Sequence, residues 1–526
     1  MRIEGHIIGF EVAAAGSETM SSMNPATGKE VASFIVATAA EVNQAVEKSA
    51  LAFQRYRKKS GMEKARFLET IATELMAIGD ELVDLCCAES GLPKARIEGE
   101  RGRTVGQLRL FADLLKEGSW LDARIETADP ERVPLPKPDI RFMQMPIGPV
   151  VVFGASNFPL AFSVAGGDTV SALAAGCTVV VKAHPAHPGT SWLVGKAIQN
   201  AVRLTDMPDG VFSLLYGDGP ILGSQLVTHP AVQAVGFTGS FAAGKAIYDL
   251  AVRRASPIPV YAEMGSTNPV FILPEALKKN ADLFAKGFSG SVTLGVGQFC
   301  TNPGMLIYEN ADGADKFAAK MEEAFQQTVG SVMLTAGIYQ SYRNGIEKHK
   351  NIPGVNVVAK GESSEHLNTP EPVLFKVKSD ALTAYPDLTE EVFGPTSMMV
   401  EASSKEDVLN IAKKLKGHLT ATIHGTESDL LEYKDLIDVL EQKVGRLLIN
   451  GYPTGVEVCS AMVHGGPFPA TSDVRSTSVG TAAIHRFVRP ICYQDMPQHL
   501  LPEELKNENP LNISRLVNGV TSKEAI

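Results

Sequence analysis

Gly148-Pro-Val-Val-Val-Phe153-Gly-Ala-Ser-Asn157-Phe-Pro159 is an apolar, β-branched run that breaks at a glycine. Thr178-Val-Val-Val-Lys182 and Val211-Phe-Ser-Leu-Leu215 repeat that pattern, with helix-like stretches at 164–176 and 189–204 between them. Ala234-Val-Gly-Phe237 and Pro259-Val-Tyr-Ala262 continue it. Short runs that are apolar on both sides and alternate with helices imply a parallel sheet covered on both faces. The fold class is therefore α/β, with a doubly wound nucleotide-binding pattern at its centre.

Upstream, residues 39–60 and 62–90 read as amphipathic helices, because Val42, Val46 and Leu51, then Phe67, Ile71, Leu75 and Ile78, recur at helical intervals. Thr38-Ala-Ala-Glu41 resembles a capping box opening the first. Downstream, a second unit begins near Glu263 and continues the alternation to about residue 465. Residues 129–146 carry four prolines between Asp129 and Pro138, which excludes a helix, and lead into the alternating Ile140-Arg-Phe-Met-Gln-Met145. His485-Arg-Phe-Val-Arg489 is strand-like. The polar, proline-interrupted tail from Pro497 to Ile526 is expected to wrap or fray.

A chain of 526 residues exceeds one ordinary core, so two or three packed units are expected. Its net charge of −10 and lack of Lys/Arg runs argue against a nucleic-acid partner. No stretch approaches the roughly 18 uninterrupted apolar residues of a membrane span, and the N-terminus does not read as a signal peptide. A cytoplasmic protein without a membrane partner is the expectation. Six cysteines spread over this length make no disulfide framework. Without a CxxC pair or a His cluster at ligand spacing, no metal is expected.

The chemistry-bearing pieces are Leu294-Gly-Val-Gly-Gln-Phe-Cys300-Thr-Asn-Pro-Gly304 and Ala262-Glu263-Met-Gly-Ser-Thr-Asn-Pro269. A thiol and a carboxylate, each on its own turn, suggest a nucleophile and a base; Asn157, at the exit of an apolar run, can donate to an oxyanion. Taken singly, each also fits a buried structural thiol or a surface turn. The usual GxGxxG fingerprint is absent. In its place Gly236-Phe-Thr-Gly239-Ser240-Phe-Ala-Ala-Gly244 leads into a helix, offering free N–H groups and a positive helix end to a pyrophosphate. Lys182 closes a strand at the end where open α/β sheets bind ligands.

In their order along the chain, Ser156-Asn157-Phe158-Pro159, Val179-Val-Val-Lys182, Gly236-Phe-Thr-Gly-Ser240, Glu263-Met-Gly, Gly297-Gln-Phe-Cys300 and Glu390-Glu-Val-Phe-Gly-Pro395 resemble the aldehyde dehydrogenase superfamily over nearly the whole length. The phrases FGASNFPLAFSVAGGDTVSALAAG, VKAHPAHPGTS and HGGPFPATSDVRSTSVGTAAIHRFVRP are most similar to its NADP-linked 2,5-dioxovalerate (2-oxoglutarate semialdehyde) and related fatty-aldehyde branches.

That resemblance implies a cofactor-binding domain from 1–128 and 147–262, a catalytic domain over 263–465, an oligomerisation arm from 129–146 and 480–496, and a tail over 497–526. It implies a homodimer or homotetramer. Cys300 would attack the aldehyde, Asn157 would hold the alkoxide, and Glu263 would activate water to release a carboxylic acid. Glu263 speaks against the CoA-acylating subclass. Lys182 would hold the adenosine ribose, and Glu391 and Phe393 the nicotinamide ribose and ring. Many NAD-preferring relatives carry a Glu three residues after this Lys. Here Pro185 takes that position, so NADP is favoured, with Lys182 and His184 attracting the 2′-phosphate and NAD left open. Ser266 replaces a second glycine and is expected to alter loop mobility. Arg103 and Gln107 share a helix face, with Arg101 and Arg109 on the same helix, and an Arg there can pair with a substrate carboxylate. Phe158, Phe162 and the 452–457 loop with Pro453 are apolar walls that suit a fatty aldehyde equally. A broad-specificity enzyme and a catalytically silent relative remain as alternatives.

Overall fold

The computed structural model describes residues 2–3 and 5–526. The valine runs form strands as their pattern predicts: Val150–Phe153, Val179–Lys182 and Phe212–Leu215 are buried at every residue. Branching at Cβ favours extended backbone, and each valine removed from water contributes about 1.5–3 kcal/mol. Ala234–Gly239 and Val260–Met264 complete five parallel strands, in the spatial order 260–264, 234–239, 150–153, 179–182, 212–215. His6–Ile8 and Glu11–Ala13 extend this sheet antiparallel beyond 212–215. Strand order reverses between 150–153 and 234–239. The carboxyl ends of those strands diverge there and open the crevice in which doubly wound sheets bind ligands.

The helical stretch before this sheet is divided more finely than its periodicity suggests. Residues 39–60 give Ala39–Tyr56, whereas 62–90 give Gly61–Ala77 and Asp80–Ser90, because Gly79 takes φ 69° and interrupts the helix. Thr38 and Glu41 form the expected capping box, and Ser60 and Glu63 form a second.

A second seven-stranded sheet has the order 356–360, 373–378, 396–402, 305–309, 270–272, 420–424, 446–449 and is parallel except at its first pair. After this sheet the chain returns to the first one. Residues 466–479, assigned in the sequence to neither unit, run beside 260–264: Met264 N–H donates to Ala470 O at 2.8 Å and Ser472 N–H to Ala262 O at 3.0 Å.

The arm is a five-stranded sheet of order 488–494, 140–146, 124–126, 515–517, 520–522. Its long antiparallel pair registers Val488 with Pro146 and Gln494 with Ile140. The strand expected at 485–489 is displaced. Residues 481–487 form a tight helical segment with Arg486 and Phe487 buried, and extended backbone starts at Val488. The tail wraps: Arg515–Val517 pairs with Arg124–Glu126, and the buried Arg515 guanidinium donates to the carbonyls of Lys506 and Glu524. No helix among the described residues is long and apolar enough to cross a membrane.

Candidate active site

The helix Pro274–Thr293 ends in a turn whose residues Gly295, Val296 and Gly297 take φ of 55°, 60° and 66°. Only glycine fits at 297, where a Cβ would lie 2.2 Å from Gly394 O. Val296 holds the same left-handed backbone without glycine's freedom, a strained position of the kind that collects at functional turns. The turn delivers Cys300, partly buried, beside strand 260–264. Buried Asn268 clamps it there, donating from Nδ2 to Cys300 O and to Asn302 O, both at 2.9 Å. Ser266 tightens the same loop: its hydroxyl donates to Asn268 Oδ1 at 2.9 Å and accepts from Leu419 N–H at 3.1 Å.

Glu263 lies on that strand, 3% exposed. The Ser478 hydroxyl donates to its Oε2, while its Oε1 has no hydrogen-bond partner and faces His464 Nε2 at 3.4 Å. The same His464 Nε2 lies 3.2 Å from Cys300 Sγ. Burial pushes the Glu263 carboxyl up to about 7, against the pull of Ser478, Arg486 and Arg103. Burial and the neighbouring Glu263 charge raise the Cys300 thiol, which Arg103 opposes. Burial and then the cations Arg446, Arg103 and Arg486 lower His464 to about 3, so its ring is neutral. Behind Glu263, Arg486 pairs with buried Asp168 and donates to Tyr261 O at 2.8 Å.

Asn157 meets the thiol turn from the other side, its Nδ2 donating to Gln298 O at 3.1 Å. An amide carries two N–H bonds, so one remains for a substrate oxygen. Arg103, on the helix Lys94–Glu117, stacks over Phe158 and Phe162 at 5.5 and 5.2 Å, and its buried Nε and Nη2 lack hydrogen-bond partners. Gln107, one turn on, has an unpartnered Nε2. Arg96 on the same helix lies over Phe158 at 4.4 Å but is paired with buried Glu100 at 2.8 Å, whereas Arg101 donates to Gly79 O at 2.7 Å and Arg109 is exposed. Phe158 packs edge-on against Phe162 and Phe299 at 5.4 Å each, forming an apolar wall. Pro453 is buried, and its carbonyl accepts from Arg446 Nη2 at 2.7 Å.

Of the residues expected at a cofactor, Lys182 and Gly239 end the two strands that flank Val150–Phe153. Gly239 closes strand 234–239, and exposed Ser240 caps the helix Phe241–Val252 that follows. Gly236 packs on Asp168 and Gly244 on Met264, where a Cβ would approach to 2.8 and 2.6 Å. Lys182 is buried at its strand end, and burial lowers it to about 8, leaving it largely cationic at neutral pH. His184 and Pro185 follow it, partly buried. Burial and the neighbours His187 and Lys182 hold His184 well below its ordinary range, so it brings a hydrogen bond rather than the expected positive charge. A narrow cavity of about 20 Å³ joins Ser266, Thr267 and Gly297 to Glu391 and Phe393. A helix N-terminus and a cation at a strand end suit the phosphates of a dinucleotide.

His464, Ser478, Asp168, Arg486 and Arg446 were not singled out in the sequence. The first two lie within the HGGPFPATSDVRSTSVG phrase, but spacing alone did not separate them from a loop. Nor did spacing reveal that ligand-type atoms of Glu263, Cys300 and His464 lie within 4.8 Å of one another.

The family model described as the aldehyde dehydrogenase family matches residues 12–469. The chain is 52% identical over 522 residues to alpha-ketoglutaric semialdehyde dehydrogenase 2 of Azospirillum brasilense, with 99% of each chain covered. It is 47% identical to alpha-ketoglutaric semialdehyde dehydrogenase of Acinetobacter baylyi, over 97% of each. Among solved structures, lactaldehyde dehydrogenase of Escherichia coli shares the fold at TM-score 0.81 and 20% identity, with 94% of this chain and 99% of that one covered.

Proposed function

The chain belongs to the aldehyde dehydrogenase family, and from that premise we propose that it oxidises 2-oxoglutarate semialdehyde to 2-oxoglutarate, with NADP and through a thioester on Cys300. The observation that carries this reading is the unpaired Arg103 guanidinium, stacked on Phe158 and Phe162 and electrostatically coupled to Cys300 and Glu263. A buried guanidinium with free donors matches a carboxylate at the far end of a short aldehyde. The names of the Azospirillum and Acinetobacter relatives support the same substrate.

Cys300 Sγ forms the bond to the aldehyde carbon. Its proton passes to Glu263, whose raised pKa suits a base working near neutral pH, while the neutral His464 Nε2 lies against both groups and positions them. The Cys300 N–H and the free Asn157 N–H hold the alkoxide, each donor being worth about 3 kcal/mol in such a role. A bound nicotinamide supplies the hydride acceptor. Glu263 then takes a proton from the water that attacks the thioester, and Ser478 keeps that carboxylate aimed. Homo-oligomerisation would proceed through the arm strand Val488–Gln494, which lies at its sheet's edge.

A side-by-side panel of 2-oxoglutarate semialdehyde, succinic semialdehyde, glutaraldehyde and decanal tests the substrate. The highest kcat/KM should fall to 2-oxoglutarate semialdehyde. The Phe158–Phe162–Phe299 wall favours a second reading, a long-chain aldehyde, which a clear win for decanal would establish.

A further inference from the structure

We propose that Glu263, Cys300 and His464 also form a reversible zinc site, and that an ion bound there silences the enzyme. The Sγ–Nε2 and Nε2–Oε1 separations are 3.2 and 3.4 Å, and all three ligand atoms fall within 4.8 Å of one another. Tetrahedral zinc, at about 2.3 Å from sulfur and about 2.0 Å from nitrogen or oxygen, spaces its ligand atoms roughly 3.3–3.6 Å apart. Two of the three separations already fit, and drawing Sγ and Oε1 together from no more than 4.8 Å closes the site. A thiolate, an imidazole and a carboxylate select a borderline ion, because magnesium and calcium prefer oxygen ligands.

A second observation points the same way. Glu263 Oε1 is buried without a hydrogen-bond partner, and a cation supplies the partner that this oxygen lacks. The ligands rest on fixed supports: Ser478 holds Oε2, and the His464 N–H donates to Thr477 Oγ1 at 2.8 Å. Three protein ligands leave one position to water, as in exchangeable rather than closed zinc sites. On binding, the thiol proton passes to solvent and a Zn–S bond forms. The carboxylate and thiolate charges together cancel that of the ion, so the occupied site presents no net charge to Arg103, Arg446 and Arg486. The sulfur lone pair and the carboxylate are then both engaged, and neither is available to aldehyde or water.

The site shares residues with the proposed oxidation, but metal binding is read without aldehyde or cofactor, so the two readings fail separately. Metal-free enzyme titrated with Co²⁺ should take up one ion per subunit and develop a sulfur-to-cobalt charge-transfer band that Zn²⁺ displaces. Cys300→Ser should abolish the band, His464→Asn should weaken uptake at least about 100-fold, and a Cys459→Ser/Cys492→Ser double variant should retain both. Stoichiometric Zn²⁺ should block iodoacetamide labelling of Cys300 in the wild-type enzyme, with a chelator restoring labelling and aldehyde oxidation. A band that survives Cys300→Ser would overturn the proposal, as would a Cys300 labelling rate that zinc leaves unchanged. The labelling arm decides alone should a variant fail to fold.

Discussion

Cys300 Sγ and His464 Nε2 are 3.2 Å apart, although 164 residues separate them along the chain. The contact gives the thiol a neutral imidazole as a close polar neighbour, in surroundings that raise its pKa through burial and the Glu263 charge. Substituting His464→Phe keeps an aromatic ring beside Phe162 and removes the nitrogen. Aldehyde oxidation should fall by about 100-fold or more, the range for loss of a group that positions a proton transfer. Iodoacetamide should alkylate Cys300 more slowly in the variant, and an unchanged alkylation rate would show that His464 does not assist the thiol.

Glu263→Gln should release one burst of reduced nicotinamide cofactor and then stall at the thioester, if hydrolysis is the step the carboxylate serves. Loss of the burst as well would place Glu263 in thiol activation. The wild-type rate of thioester hydrolysis should rise with pH around 7, where the carboxyl loses its proton. Stability follows the opposite course. The folded pKa lies above the unfolded value, so between about 4.5 and 7 the unfolded chain releases a proton that the folded protein keeps, and stability falls as pH rises. Gln carries no such penalty, so the Tm of Glu263→Gln relative to wild type should increase between pH 5 and pH 8.

Pro185→Glu places a carboxylate three residues after Lys182, at the position proposed for the adenosine ribose. Repulsion of a 2′-phosphate should move the NADP/NAD ratio of kcat/KM toward NAD by at least about tenfold, the equivalent of 1.4 kcal/mol. Equal use of both cofactors by the unmodified enzyme would remove the basis for this expectation.

Arg103→Met keeps the apolar stem over Phe158 and Phe162 and removes the charge. A hydrogen bond to a charged group is worth about 1.5–3 kcal/mol, so KM for 2-oxoglutarate semialdehyde should rise roughly tenfold or more. KM for decanal should change by no more than about twofold. Equal losses on both aldehydes would mean that Arg103 supports the wall rather than the carboxylate.

The sequence shows the doubly wound core because its valine runs need no tertiary information: Val150–Phe153 and Val179–Lys182 are buried along their whole length. It misplaces the strand at 485–489 because Arg486 and Phe487 alternate like strand residues, while burial against Asp168 and Tyr261 bends them into a helical turn. Cys300, Glu263 and Asn157 are legible through motifs around them that match a family. His464 and Ser478 are not, because a His and a Ser in a glycine- and proline-rich loop have no local signature. Their partners are 164 and 215 residues away. The charge state of His184 is not legible either, because a sequence shows a titratable ring but not the enclosure that lowers its pKa.

The return of residues 466–479 to strand 260–264 has a consequence for biosynthesis. A ribosome-bound chain that has emerged as far as Gly304 already exposes Cys300 and Glu263, but neither His464 nor Ser478 yet exists to complete their surroundings. The thiol therefore passes through synthesis as an ordinary cysteine. It gains its partners only when the last segment crosses back to the first sheet, so a prematurely terminated chain carries the nucleophile without the neighbours that would set it to work.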